Sequence, residues 1–269
     1  MDQEDIMLTF LSCCICFSAS VIGAICGIGG GVIIKPVLDA FRIMDITAIN
    51  FLSGCTVFSM TSYSVIRSRQ SGESHIETRT GFPLALGAAL GGLLGKHLFS
   101  LVSSFFANKD QAGAVQASIL LLVTAGTLLY TIYKERIRTL RISNAVSCIL
   151  IGAALGTMSA FLGIGGGPIN LVVLFYFFSM DTKTAAENSL YIIFFSQAAS
   201  LIASAVTKSI PSFPVLMLVF MVLCGIGGGM LGRSVNQKLP AKHVDRLFIG
   251  LMVVIMLICI YNVCNYSVQ

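Results

Sequence analysis

The stretch Gly-Ile-Gly-Gly-Gly occurs twice in this chain, at residues 27–31 and again at residues 163–167. Each copy lies between apolar runs. Four glycines in five residues oppose a continuous helix, because each costs roughly 1 kcal/mol relative to alanine. A broken backbone inside a bilayer survives only where protein buries it or where it lines a wet cavity. Paired breaks in the two halves of a chain indicate the substrate site of a transporter.

The composition indicates that these breaks lie in a membrane. Of 269 residues, 56% are hydrophobic and 11% are charged, and the mean hydropathy is +0.89, which is far from the range of soluble domains. Residues 1–5 are largely acidic, whereas a secretory signal begins with basic residues, so the first apolar run is expected to remain as a membrane segment. We predict an all-α polytopic integral membrane protein of the cell membrane, surrounded by the lipid bilayer.

The second half of the sequence repeats the first at an offset of 136 to 137 residues. Such self-similarity indicates an internal duplication. We predict a first repeat over residues 1–133, a basic cytoplasmic connector over 134–143 and a second repeat over 144–269. Three landmarks recur in the same order: the two glycine stretches, the dipeptides Met44-Asp45 and Met180-Asp181, and the motifs GGLLGK at 91–96 and GGMLGR at 228–233.

The distribution of Lys and Arg predicts how the two repeats are oriented, since cytoplasmic loops carry the excess of positive charge. If both glycine-broken segments cross once, the two sides receive similar numbers and no orientation follows. If each enters and returns, one side collects twelve basic residues and the other keeps only Arg42, Lys109 and Lys208. We therefore predict two inverted repeats, each with a glycine-broken hairpin or re-entrant first element followed by three transmembrane helices. Both termini then lie outside the cell.

Several stretches resemble the TauE/SafE sulfite exporter family. The resemblance rests on GAICGIGGGVIIKPVL and GTMSAFLGIGGGPINLVVL, on the helices that begin TAINFLSG and TAAENSLYIIF, and on GGLLGKHL and GGMLGRSVNQKLPAKHVDRLFIGLM. It covers essentially the whole chain. It implies a small permease for a sulfur-containing anion such as sulfite, thiosulfate or an organosulfonate. The substrate varies across the family, so the resemblance indicates a class of cargo rather than one molecule.

The glycine breaks are the first candidate binding elements. A helix that restarts after a break presents unpaired N–H groups and the positive end of its dipole, and anions bind at such ends. Pro168 fits the first turn of the restarted helix, with Gly167 as its cap. The alternative is close helix packing, which we favour for the glycines spaced four apart: Gly87, Gly91, Gly95, Gly152 and Gly156. The candidate anion-binding glycines are Gly29, Gly30, Gly31, Gly165, Gly166 and Gly167.

Polar residues in the apolar segments form the second set of candidates. Their side chains either hydrogen-bond the oxygens of the anion or bond between helices, and both interpretations remain open. Lys35 could neutralise a divalent anion, pair with Asp39 one turn on or reach the interface. For Lys96 and Arg233 we favour interfacial anchoring. The candidate polar residues are Asn50, Ser53, Asn170, Asn188 and Ser189, with Lys35 as the basic one.

Glu187 precedes Asn188 in an apolar segment, which makes it a candidate carrier of a coupling proton. A helix-entry residue in contact with water is the alternative. The sequence therefore predicts a secondary transporter that works by alternating access. An anion channel of the same architecture and a non-transporting membrane subunit remain alternatives.

The sequence offers no sign of an enzyme, because the usual hydrolase and metalloprotease motifs are missing. The nine cysteines lie mostly in apolar runs, where small packing residues are expected. We expect no metal, no cofactor and no nucleic acid partner, and a homodimer is left open.

Overall fold

The computed structural model describes residues 3–41, 44–70, 78–105 and 109–267. Helices fill most of these ranges and no strand occurs in them, which confirms the all-α prediction. Both chain ends and Arg42, on which the topology prediction depends, lie outside the described residues. The helices are α1 (Gln3–Cys26), α2 (Gly31–Ala40), α3 (Ile46–Gln70), α4 (Thr78–Phe105), α5 (Lys109–Tyr133), α6 (Ala145–Leu162), α7 (Pro168–Phe178), α8 (Thr182–Val206), α9 (Val215–Lys238) and α10 (Ala241–Ser267).

Seven of the described helices are long and apolar enough to cross a bilayer, namely α1, α4, α5, α6, α8, α9 and α10. The 25 residues of α3 give it the same length, but it is more polar. Several of its hydroxyl groups donate to carbonyl oxygens of the preceding turn, as Thr56 does to Leu52 and Ser64 to Met60, so these groups can be buried without another partner. With 10 and 11 residues, α2 and α7 reach about 15 Å and cannot span.

The chain breaks at both glycine stretches. The first break separates α1 from α2, and the second separates α6 from α7. Gly27, Gly29, Gly163 and Gly165 have φ between 64° and 75°, a conformation that favours glycine. Pro168 is the first residue of α7 and Gly167 is its N-cap, as the sequence predicts.

Glycines spaced four apart bring helix backbones into contact, which confirms the packing interpretation. A Cβ added at Gly91 would lie 2.1 Å from the Ala153 carbonyl oxygen, and one added at Gly156 would lie 2.2 Å from that of Ala88. Gly87, Gly95 and Gly152 meet carbonyl oxygens in the same way. The result is a close α4–α6 interface in which each helix supplies glycines for the backbone of the other.

Helices of the two halves pack in matching pairs. The contact of α4 with α6 is matched by that of α9 with α1, where Gly228 and Gly232 face the carbonyl oxygens of Phe17 and Val21. In the same way α4 packs on α8 and α9 packs on α3, while α3 and α8 pack on each other. The core is therefore built from pairs of helices drawn from different halves of the chain.

Candidate functional site

The two glycine breaks contact each other in the centre of the molecule. A Cβ added at Gly31 would lie 2.2 Å from the Ile164 carbonyl oxygen of the second break. Each break also touches the beginning of a helix from the other half: Gly27 abuts Ala186 of α8, and Gly163 abuts Asn50 of α3. The residues that begin α3 and α8 are thus placed against the breaks.

Two aliphatic side chains fill the space left by the glycines. A Cβ at Gly165 would lie 2.7 Å from Val57 of α3, and one at Gly166 would lie 2.2 Å from Ile193 of α8. Both Val57 and Ile193 are fully buried. We call this group of Val57, Ile193 and the two breaks the central wall. All six candidate glycines are buried in it, so it is closed in this conformation.

A cavity lined by both polar and apolar residues lies on each side of the central wall. The first, of about 360 Å³, is lined by Ala24, Ser64, Lys183, Glu187, Arg233 and Asn236, among others; we call it the Arg233 cavity. The second, of about 370 Å³, includes Asn50, Lys96, Ser100, Gly163, Gln197 and Ser200; we call it the Lys96 cavity. Each volume is that of a small-molecule pocket.

The cavities lie at opposite ends of α3 and α8. The start of α8 at Glu187 lines the Arg233 cavity, and its end at Ser204 lines the Lys96 cavity. Seventeen residues of helix separate these positions by about 25 Å. For α3 the order is reversed, since Asn50 lies in the Lys96 cavity and Ser64 in the Arg233 cavity. The two helices therefore run antiparallel, and the central wall lies between the cavities.

The structure divides the predicted polar residues between the cavities and the buried core. Asn50 and Glu187 line the cavities. Asn188 is buried and donates to the Thr184 carbonyl oxygen at 2.9 Å. Ser53, Asn170 and Ser189 are also buried, and their side-chain oxygens have no hydrogen-bond partner among the described residues. The amide of Asn170 lies beside Gly166 of the second break.

Lys35 lies away from both cavities. It is buried, and its Nζ donates to the Leu162 carbonyl oxygen and to Gln116 Oε1 of α5. Gln116 in turn donates to the Phe161 carbonyl oxygen. These two carbonyls end α6, where no intrahelical donor remains. Lys35 and Gln116 therefore cap the helix end that the second break leaves open, a role that the sequence analysis did not consider.

The first break is capped in a corresponding way. Asn236 of α9 donates to the Ile25 carbonyl oxygen near the end of α1. The cap on α1 thus comes from the second half of the chain, whereas the caps on α6 come from the first half. Buried carbonyl groups without donors are costly in a membrane, so each half stabilises the break of the other.

Replacing Lys35 by methionine distinguishes a cap from an anion ligand. We expect Lys35→Met to lower the melting temperature of the purified protein, because an unpaired buried carbonyl group costs about 1–3 kcal/mol. The apparent affinity for a transported anion is expected to change little. A raised KM with an unchanged melting temperature would contradict the capping role. Lys96→Met is the matched control, since Lys96 lines a cavity and its loss should leave stability nearly unchanged.

Lys96 and Arg233, for which the sequence analysis favoured anchoring at the membrane interface, each line one of the two cavities. Arg233 also donates to the Ser64 carbonyl oxygen at 3.3 Å. Their signal in the sequence is position, because each is the last residue of the third repeated landmark, GGLLGK or GGMLGR. Only the packing of α4 and α9 shows that these positions line cavities.

Long apolar helices, paired breaks and two opposed cavities are typical of polytopic membrane transporters. The chain belongs to the sulfite exporter TauE/SafE family, whose model matches residues 12–258, so the predicted family is confirmed. A probable membrane transporter protein of Methanocaldococcus jannaschii is 24% identical over 264 residues, which cover 91% of this chain and 92% of that protein. The probable membrane transporter protein YunE of Bacillus subtilis is 23% identical over 250 residues, covering 84% and 88%. No solved structure gives a significant match.

Proposed function

We propose that this protein is a secondary transporter for a small anion, and that sulfite, thiosulfate or an organosulfonate is its cargo. The observation that carries the proposal is the pair of cavities on opposite sides of a closed central wall. In alternating access the anion enters one cavity, the wall opens at the glycine breaks, and the anion leaves through the other. The family and the two related membrane transporters support transport itself.

Alternating access requires a closed barrier with a cavity on each side, and buried Val57 and Ile193 form such a barrier here. A channel in its closed state would be blocked in the same way, so the flux measurements below separate the two functions. We propose inverted repeats over residues 1–133 and 144–269, with the connector between them in the cytoplasm. Two features support them: α3 and α8 run antiparallel, and helices of the two halves pack in matching pairs. Both termini then lie outside. A reporter fused after Gln269 that is active only in the cytoplasm would contradict this topology.

Flux measurements in proteoliposomes test the function and its coupling together. We expect saturable flux of sulfite, thiosulfate or sulfoacetate that responds to an imposed pH gradient, because Glu187 lines a cavity from which it can exchange a proton. Glu187→Gln should abolish the response to the gradient while flux persists. A variant with unchanged pH dependence would exclude Glu187 as the proton carrier, and flux without saturation or coupling would favour the channel. Folded protein that moves none of these anions would refute the proposed cargo.

A further inference from the structure

Matching residues of the two repeats line the two cavities. Ala24 and Ser64 in the Arg233 cavity have Ala160 and Ser200 at the repeat offset in the Lys96 cavity. The match extends to the basic residues, because Arg233 and Lys96 are separated by 137 residues, within the repeat offset of 136 to 137. The cavities are therefore lined in part by residues at matching positions of the two repeats, and Lys96 and Arg233 are counterparts.

Each basic residue is accompanied by groups that can donate hydrogen bonds to an anion. Ser100, Ser200 and Gln197 line the Lys96 cavity. In the Arg233 cavity the available donors are the amide of Gln237 and the second amide hydrogen of Asn236, because the Ser64 hydroxyl already donates to the Met60 carbonyl oxygen. A basic side chain with hydroxyl and amide donors suits the oxygens of a small oxyanion. A residue that merely anchored its helix at the interface would have no need of such a cavity in both halves.

We propose that Lys96 and Arg233 are the anion-binding residues of the transport cycle, and that each binds the anion in the conformation open to its own side. This inference rests on the proposed function of anion transport. Lys96 binds the anionic head in the cavity bounded by α3, α4, α6 and α8. When the central wall opens, the anion passes the glycine breaks and binds Arg233 in the opposite cavity. The ligand class is an anion with a small oxygen-bearing head.

The two cavities differ at one charged position next to the wall. Glu187 in the Arg233 cavity stands where Asn50 stands in the Lys96 cavity, at the offset of 137 residues. Lys183 also lines the Arg233 cavity, so its formal charge is +1. The Lys96 cavity has the same formal charge, since Lys96 is the one charged residue among the described residues that line it. A carboxylate repels an incoming anion and competes with it for Arg233. Glu187 therefore distinguishes the two cavities, and Lys183 offsets its charge.

The test measures anion KM separately from each side of sealed vesicles in which the protein has one known orientation. Lys96→Gln should raise KM by about tenfold or more on the side to which its cavity opens, as expected for loss of a charged hydrogen bond. Arg233→Gln should do so on the other side. Lys96→Arg and Arg233→Lys should retain most of the affinity. Arg246→Gln, a change of an exposed residue of α10 outside both cavities, is the control and should change neither KM.

The outcomes separate this inference from the proposed function. Two results would overturn the assignment of Lys96 and Arg233 without refuting transport. One is normal flux with an unchanged KM in both Gln variants, and the other is a KM that changes on the same side of the membrane in both. Wild-type protein without flux would refute the proposed function. In that case binding is tested by the rise in melting temperature that sulfite or sulfoacetate induces. A rise in the wild type that is lost in Lys96→Gln and Arg233→Gln would still support the anion site. The same rise in both variants would overturn the assignment of these two residues.

Discussion

Replacing Gly31 by alanine is expected to prevent correct folding. The added Cβ would lie 2.2 Å from the Ile164 carbonyl oxygen and 2.9 Å from Val57. The nearest atom belongs to backbone that is itself part of the second break, so no side-chain rotation relieves the clash. We expect a loss of more than about 3 kcal/mol, the upper end for overpacked interiors. This loss of stability would appear as a low yield of monodisperse protein or as a melting temperature far below that of the wild type.

Two other glycines in long helices provide matched controls for this substitution. Gly126 of α5 and Gly250 of α10 have nothing within 4 Å of an added Cβ. Alanine is the better helix former by roughly 1 kcal/mol, so Gly126→Ala and Gly250→Ala should leave stability unchanged or slightly raised. If Gly31→Ala behaved like these controls, the two breaks would not pack against each other as described.

Shortening Ile193 is expected to convert coupled transport into a leak. Ile193 packs against Gly166 of the second break and Gly29 of the first, so opening the central wall exposes its side chain. Truncation to alanine removes three carbon atoms, each worth about 0.8 kcal/mol of burial. The free energy of the open state relative to the closed state therefore falls by about 2 kcal/mol, which raises the population of the open state more than tenfold. Anion efflux measured without any driving counter-gradient should rise accordingly.

Met252→Ala separates the leak from a general loss of stability. Met252 is also fully buried, but it lies in the α10 part of the core and does not line either cavity. Truncating either residue costs about 2–5 kcal/mol by creating a cavity, so both variants should melt earlier. Only Ile193→Ala should leak. An equal leak in both would mean that the central wall does not separate the cavities.

The sequence predicts the helical breaks well because their cause is local. Four glycines oppose helix continuation wherever they occur, and Pro168 can begin a helix but cannot continue one. The long apolar runs likewise predict membrane helices without reference to their neighbours. The glycines spaced four apart predict close packing, since that spacing places them on one helix face. The structure contains these features at the predicted positions.

The contacts of individual polar side chains depend on which helices pack against each other. Lys35 follows the first break in the sequence, yet its ammonium group caps the second, because α2 packs beside the end of α6. Lys96 and Arg233 resemble interfacial anchors until α4 and α9 are placed beside α8 and α3.

The sequence by itself determined that this protein is a helical membrane protein with two glycine breaks, since hydropathy and glycine content are properties of the linear chain. Its resemblance to the TauE/SafE family predicted a membrane transporter, which the family match supports. The tertiary structure alone decided that the breaks form a closed wall and that a cavity with a basic residue lies on each side. Cavities and caps arise from contacts between residues that are far apart in sequence, and no local pattern specifies such contacts.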